Sequence, residues 1–181
     1  MSKAWFAFLP NLISLARLAL APLSVDMIVA RRWPEALAIF VVAGLSDALD
    51  GWIARRFNLR SELGAYLDAI ADKALLVGNF IALAVIGIVP LGLALLVVSR
   101  DLMIVGAVLL SWLLDKPMRI RPHWLSKANT AAQITFVVAV LAALALDMPT
   151  PWFVPGLWLV AALTLASLAA YLKRWVTHMS A

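Results

Sequence analysis

Long apolar runs, separated by short polar or proline-marked breaks, set the pattern of this chain. A helix needs roughly 20 mostly apolar residues to cross the hydrocarbon core of a bilayer. Residues 1–9 (MSKAWFAFL) are shorter and amphipathic, and they predict an interfacial helix broken at Pro10. A first span is predicted over 11–30, kinked near Pro22, and a second from about 35 to 53 after the turn Arg31-Arg32-Trp33-Pro34. The third is predicted over 64–89, ending before Pro90, and the fourth over 91–114. A loop rich in charge and proline (115–127) leads to a fifth span ending at 146, and after Pro149, Pro151 and Pro155 a sixth ends near 173. The expected fold is an all-α integral membrane protein with six transmembrane helices plus a short N-terminal interfacial helix, one domain over 1–181.

Composition agrees: 65% of the residues are hydrophobic, against roughly 45–50% in ordinary globular chains. With no cysteine, disulfides and thiolate metal sites are excluded, and His123 and His178 alone supply zinc poorly. The net charge of +5 would suit nucleic acid in a soluble chain. Here it reads as basic loops facing anionic headgroups, so no nucleic-acid partner is expected. Lys3, Arg55, Arg56, Arg60, Lys116, Arg119, Arg121, Lys127, Lys173 and Arg174 fall on one side of the six-span arrangement, Arg31 and Arg32 on the other. The crowded side is expected to be cytoplasmic. No Arg/Ser-rich leader is evident, which favours a bacterial inner membrane.

One stretch breaks the apolar pattern: residues 46–73, SDALDGWIARRFNLRSELGAYLDAIADK. An ionisable residue at bilayer depth costs ~2.5–3.5 kcal/mol or more, so four carboxylates there imply a function. Asp47 and Asp50 are three apart and Asp68 and Asp72 four apart, so each pair shares a helix face. Carboxylates without thiolates or clustered imidazoles favour a hard cation, Mg²⁺, Mn²⁺ or Ca²⁺. Two such ions suit a diphosphate, whose charge must be neutralised before an oxygen nucleophile approaches phosphorus. The alternatives are internal ion pairs with Arg55, Arg56 or Lys73, and an ion or proton pathway.

Written as D-x2-D-G-x2-A-R-x8-G-x3-D-x3-D, the stretch resembles the motif of the CDP-alcohol phosphotransferases, with every position filled. The resemblance implies that Asp47, Asp50 and Asp68 bind metal, as Mg²⁺ or Mn²⁺. It implies that Asp72 completes the metal site and is the general base. It also implies that Gly51, Ala54, Arg55 and Gly64 line the CDP pocket, and that the protein is a homodimer, for which Gly78 and Ala82 offer close-packing sites.

The motif defines the donor and leaves the acceptor open. In LPNLISLARLALAP (residues 9–22), Asn11, Ser14 and Arg17 recur at helical spacing; Asn11 either contacts the nucleotide or bonds another helix. Arg100 and Asp101 are intramembrane charges that either bind the acceptor or neutralise each other. Glycerophosphate-using members resemble this region but carry an arginine where this chain has Val108, Leu109 and Leu110. RPHWLSKANTAAQ (residues 121–133) is more similar to cardiolipin-forming members, with Lys127, Asn129 and Gln133 on one helix face serving either a headgroup or packing. His123 reads as solvated, with proton transfer or phosphodiester binding as its other use. The resemblance thus implies transfer from CDP-diacylglycerol to phosphatidylglycerol, with Arg100, Arg119, Arg121, His123 and Lys127 as acceptor-binding candidates. Transfer to glycerol 3-phosphate is the alternative, and a metal-binding transporter or scaffold the non-enzymatic one.

Overall fold

The computed structural model describes residues 3–56, 62–114, 124–149 and 153–180. The side chains of residues 3–11, 50, 52–55, 62, 63, 65, 66, 108, 112 and 180 lie outside that description. Among the described residues all regular structure is helical: α1 (Lys3–Val29), α2 (Trp33–Arg56), α3 (Glu62–Val85), α4 (Leu91–Leu113), α5 (Trp124–Ala145) and α6 (Val154–Ser180). Of these, α1, α4, α5 and α6 contain windows long and apolar enough to cross a membrane. The carboxylates of the acidic stretch fall on α2 and α3.

Four boundaries differ from the sequence expectation. Helix α1 runs without a break through Pro10 and Pro22, so no separate interfacial helix precedes it. A proline removes one helical hydrogen bond, but in apolar surroundings the backbone has no better partner than the helix itself. Helix α3 stops at Val85 rather than continuing to Pro90. Helix α5 starts at Trp124, which puts Lys127 on its first turn instead of in a loop. Helix α6 runs on past Lys173 to Ser180, because long basic side chains reach water without ending a helix.

The end of α3 shows why it stops. Gly87 has φ +79°, Gly87 N–H donates to Ala84 O at 3.1 Å, and Ile88 N–H donates to Leu83 O at 2.9 Å. That pair of bonds around a left-handed residue is the Schellman motif. It recurs at α1, where Arg31 (φ 57°) donates to Ile28 O and Arg32 to Met27 O. At α5, Asp147 (φ 51°) donates to Leu144 O and Met148 to Ala143 O. Only the α3 cap carries the glycine that makes such a turn cheap. Nothing lies within 4 Å of a Cβ built on Gly87, so Gly87→Ala is expected to cost about 1 kcal/mol through the backbone alone. Asp147→Gly should shift the thermal unfolding midpoint the opposite way, and melting the two variants in detergent checks both signs.

The helices pack in two connected groups. Helix α1 lies against α2 and α3, α5 against α6 and α2, and α4 joins α3 to α6. The interior is sealed by Phe80 stacked on Phe136 (centroids 6.0 Å apart), with Phe153 edge-on to Phe136 at 6.3 Å. A Cβ on Gly78 would sit 3.1 Å from Val25, and Ala82 is buried. Gly78 therefore serves the α1–α3 contact within one chain.

Polarity is inverted relative to a water-soluble protein. Ser24, Asn79, Asn129, Gln133, Thr164 and Ser167 are each fully buried, whereas Val85 is 72% and Trp158 69% exposed. Interior polar groups bond across helices: Ser24 Oγ donates to Asn79 Oδ1 (2.9 Å), and Thr164 Oγ1 donates to Asn129 Oδ1 (2.9 Å) while accepting from Gln133 Nε2 (3.2 Å). An apolar exterior over hydrogen-bonded polar contacts suits helices surrounded by lipid.

Candidate active site

The acidic residues come together because α2 delivers Asp47 from its last turns and α3 delivers Asp68 and Asp72 from its first ones. Between them stands a residue from α1. Arg17, 1% exposed, donates Nη1–H to Asp47 Oδ1 and Nη2–H to Asp68 Oδ1, so one planar guanidinium ties three helices. The carboxylates are not sealed in: the Asp47 and Asp68 side chains are 41% and 43% exposed. In both pairs the bonded oxygen is Oδ1, which leaves Oδ2 of each carboxylate outside these two bonds. Asp72 is close enough for its charge to act on both Asp47 and Arg17.

Two cavities meet at Asp72. One, of about 350 Å³, is lined by Arg17, Asp47 and Asp72 at one end and by apolar side chains such as Phe40, Leu76 and Val138 elsewhere. The other, of about 560 Å³, is lined by Asp72, Lys73, Arg100, Asp101, Lys127 and Tyr171 among others. Asp72 and Ile134 belong to both linings. A carboxylate thus sits between an apolar recess and a charged chamber.

Arg100 anchors the charged chamber from behind. It is 2% exposed; Nη1–H donates to Asp101 Oδ1 (2.6 Å), and Nη2 donates to Ser126 Oγ (2.5 Å) and Ser167 Oγ (3.0 Å). Its Cζ lies 5.8 Å from the centre of the Tyr171 ring, a cation–π distance. Its buried Nε has no hydrogen-bond partner among the described residues. Asp101 Oδ2 accepts from Lys73 Nζ at 2.5 Å.

The sequence-expected site residues distribute as follows. Asp47, Asp68 and Asp72 converge, and Arg100 and Lys127 line the charged chamber beside Asp72. Gly51 lies on α2 and Gly64 on α3. Asn11, Asp50, Ala54 and Arg55 have backbone in α1 or α2, with side chains outside the described set. Arg119, Arg121 and His123 lie outside the described residues. Ion pairing of Asp47 and Asp68 does occur, through Arg17, while Lys73 pairs with Asp101 and the side chain of Arg55 lies outside the described set. Tyr171, Ser126 and Ser167 were not legible as site residues, since nothing local distinguishes them from ordinary helix polar positions.

Among the described residues, no group of three or more metal-donor side chains is gathered tightly enough to define a cation site. The donor type nonetheless fits a hard divalent cation, since every candidate ligand is a carboxylate and two of them keep an oxygen outside the Arg17 bonds.

Carboxylates from two helices thus meet in a chain with four helices long and apolar enough to cross a membrane, and comparison with known proteins supplies the class. Residues 7–176 match the family described as CDP-alcohol phosphatidyltransferase. The chain belongs to that family and is an integral membrane protein. It is 34% identical over 177 residues to the human protein named cardiolipin synthase (CMP-forming), covering 89% of this chain and 59% of that one. To a rice protein named CDP-diacylglycerol–glycerol-3-phosphate 3-phosphatidyltransferase 1, chloroplastic, it is 35% identical over 185 residues, covering 92% of this chain and 56% of that one. A Mycobacterium tuberculosis protein named putative cardiolipin synthase is 40% identical over 106 residues, 57% of this chain and 50% of that one. The chain thus spans under two thirds of the length of these curated relatives.

Proposed function

We infer that this phosphatidyltransferase moves the phosphatidyl group of CDP-diacylglycerol to a hydroxyl of phosphatidylglycerol, forming cardiolipin and CMP. The observation that carries the acceptor assignment is the charge of the larger cavity. Its described lining holds three cations, Lys73, Arg100 and Lys127, against two carboxylates, Asp72 and Asp101. A lining rich in cations suits an anionic, phosphate-bearing headgroup. A phosphomonoester such as glycerol 3-phosphate brings up to two negative charges, and the resemblance to glycerophosphate-using members implies an arginine where this chain has Val108, Leu109 and Leu110. The names of the human and mycobacterial relatives fit the same choice, and the name of the rice relative fits the alternative acceptor.

In this reading the acceptor headgroup enters the charged chamber and presents its hydroxyl to Asp72. Asp72 takes the hydroxyl proton, and the oxygen forms a bond to the phosphorus that bears diacylglycerol. The bond from that phosphorus to the bridging oxygen breaks, and CMP leaves with the electron pair. Asp47, Asp50, Asp68 and Asp72 would hold Mg²⁺ or Mn²⁺, two ions in our reading, which supplies neutralisation of the diphosphate charge. Arg17 holds two of these carboxylates in place from within the bundle. The apolar recess beside Asp72 gives the lipid portion of a substrate a surface that water does not compete for.

The test is CMP release by purified protein from CDP-diacylglycerol and phosphatidylglycerol, with EDTA and then with added Mg²⁺ or Mn²⁺. CMP release that stops with EDTA and returns with the metal is expected. Persistent absence of CMP with every alcohol acceptor would favour the transporter or scaffold reading.

A further inference from the structure

The pair Arg100–Asp101 invites a simple reading as mutual neutralisation, but the geometry adds a third member. Asp101 is only 10% exposed and spends both oxygens on cations, Oδ1 on Arg100 and Oδ2 on Lys73. The two cations differ in what remains. Arg100 has both Nη groups bonded inside the protein and is 2% exposed. Lys73 is 43% exposed at the chamber, and an ammonium has three donors of which Asp101 takes one. Arg100 is fixed by α5 through Ser126 and by α6 through Ser167, so it holds Asp101 on α4 against the rest of the bundle. Asp101 in turn holds the tip of a side chain that otherwise has four rotatable bonds. Lys73 also follows Asp72 directly in the chain, so a ligand whose hydroxyl reaches Asp72 has its phosphate, a short glycerol arm away, within the same chamber.

We propose that Lys73 binds the acceptor's phosphate and that Asp101, anchored by Arg100, is the positioning residue that aims it. This rests on the chamber being the acceptor site. Asp101 lines the chamber with both oxygens already bonded to cations, and its carboxylate would repel a phosphate. Its effect on catalysis therefore passes through Lys73.

The experiment is steady-state kinetics of Lys73→Gln, Asp101→Asn and the double variant, with acceptor and donor concentrations varied separately. Loss of a charge-assisted hydrogen bond is expected to raise the acceptor KM roughly tenfold or more in Lys73→Gln. The KM for CDP-diacylglycerol should stay within about twofold. Asp101→Asn should shift the acceptor KM in the same direction, and the double variant should be no worse than Lys73→Gln, because the two act as one unit. Lys73→Arg should recover part of the loss. An unchanged acceptor KM in Lys73→Gln, equal rises in both KM values, or additive effects in the double variant would overturn the proposal. Lys73 projects into an open chamber, so its variant keeps the test valid even where Asp101→Asn fails to fold. Running glycerol 3-phosphate alongside phosphatidylglycerol separates the two claims. Turnover of glycerol 3-phosphate alone defeats the acceptor assignment, while the KM for that phosphate still reads the role of Lys73.

Discussion

Asp72→Asn is expected to bind CDP-diacylglycerol and release almost no CMP. Asparagine keeps the volume of the side chain and one hydrogen-bonding oxygen but accepts no proton. General-base catalysis contributes about 10²–10⁴-fold to rate, and loss of a carboxylate from the proposed metal site adds to that. Asp72 is the ionisable side chain common to both described cavity linings, so its removal should affect the chemical step for any acceptor. Donor binding by calorimetry beside a CMP-release assay separates the two effects. Retained turnover in Asp72→Asn would refute the assignment of the base.

Arg17→Met is expected to have the largest effect on stability. Removing the guanidinium leaves Asp47 and Asp68 facing each other with no described cation between them. Breaking a buried pair by removing one partner costs about 3–5 kcal/mol. Both carboxylates are roughly 40% exposed, which places the expected loss near the lower end, about 3 kcal/mol. Arg17→Lys should fall between, since it keeps the charge but loses the two-pronged geometry. The triple change Arg17→Met, Asp47→Asn, Asp68→Asn should recover much of the stability without recovering activity, because no buried charge is then left alone. Thermal unfolding in detergent across these variants measures it. A triple variant as unstable as Arg17→Met would show that the arginine matters for its packing instead of its charge.

The acidic stretch was readable from the chain because its information is local: two pairs at helical spacing, on helices that succeed one another. Arg17 was not. It stood out only as a polar residue in register with Asn11 and Ser14, and its partners lie 30 and 51 residues away. Helical spacing identifies a face and says nothing of which other helix that face meets. Arg100 shows the same limit from another side. Its intramembrane charge drew attention to it, yet the hydroxyls that fix it, Ser126 and Ser167, lie on helices that only tertiary packing brings near. Its two Nη groups are spent inside the protein, and the exposed cation next to it is Lys73.

Helix ends followed the same logic. Leu91 after Pro90 was placed correctly because proline cannot continue the preceding turn and is well suited to begin the next helix. Helix α1 passed through Pro10 because the apolar sequence on both sides outweighs one lost hydrogen bond. The left-handed caps at Arg31 and Asp147 carry no glycine, so the turn at Arg31–Pro34 was expected without its cap geometry, and the glycine that does mark a cap, Gly87, was read as part of the third span.

The most direct test of the central claim is a competition. Purified protein is given CDP-diacylglycerol with phosphatidylglycerol and glycerol 3-phosphate at equal concentration, and the lipid products are identified by mass spectrometry. Cardiolipin is expected as the dominant product. Phosphatidylglycerophosphate as the dominant product would contradict the account, and would mean that the acceptor's phosphate is held by basic residues other than those of the described lining.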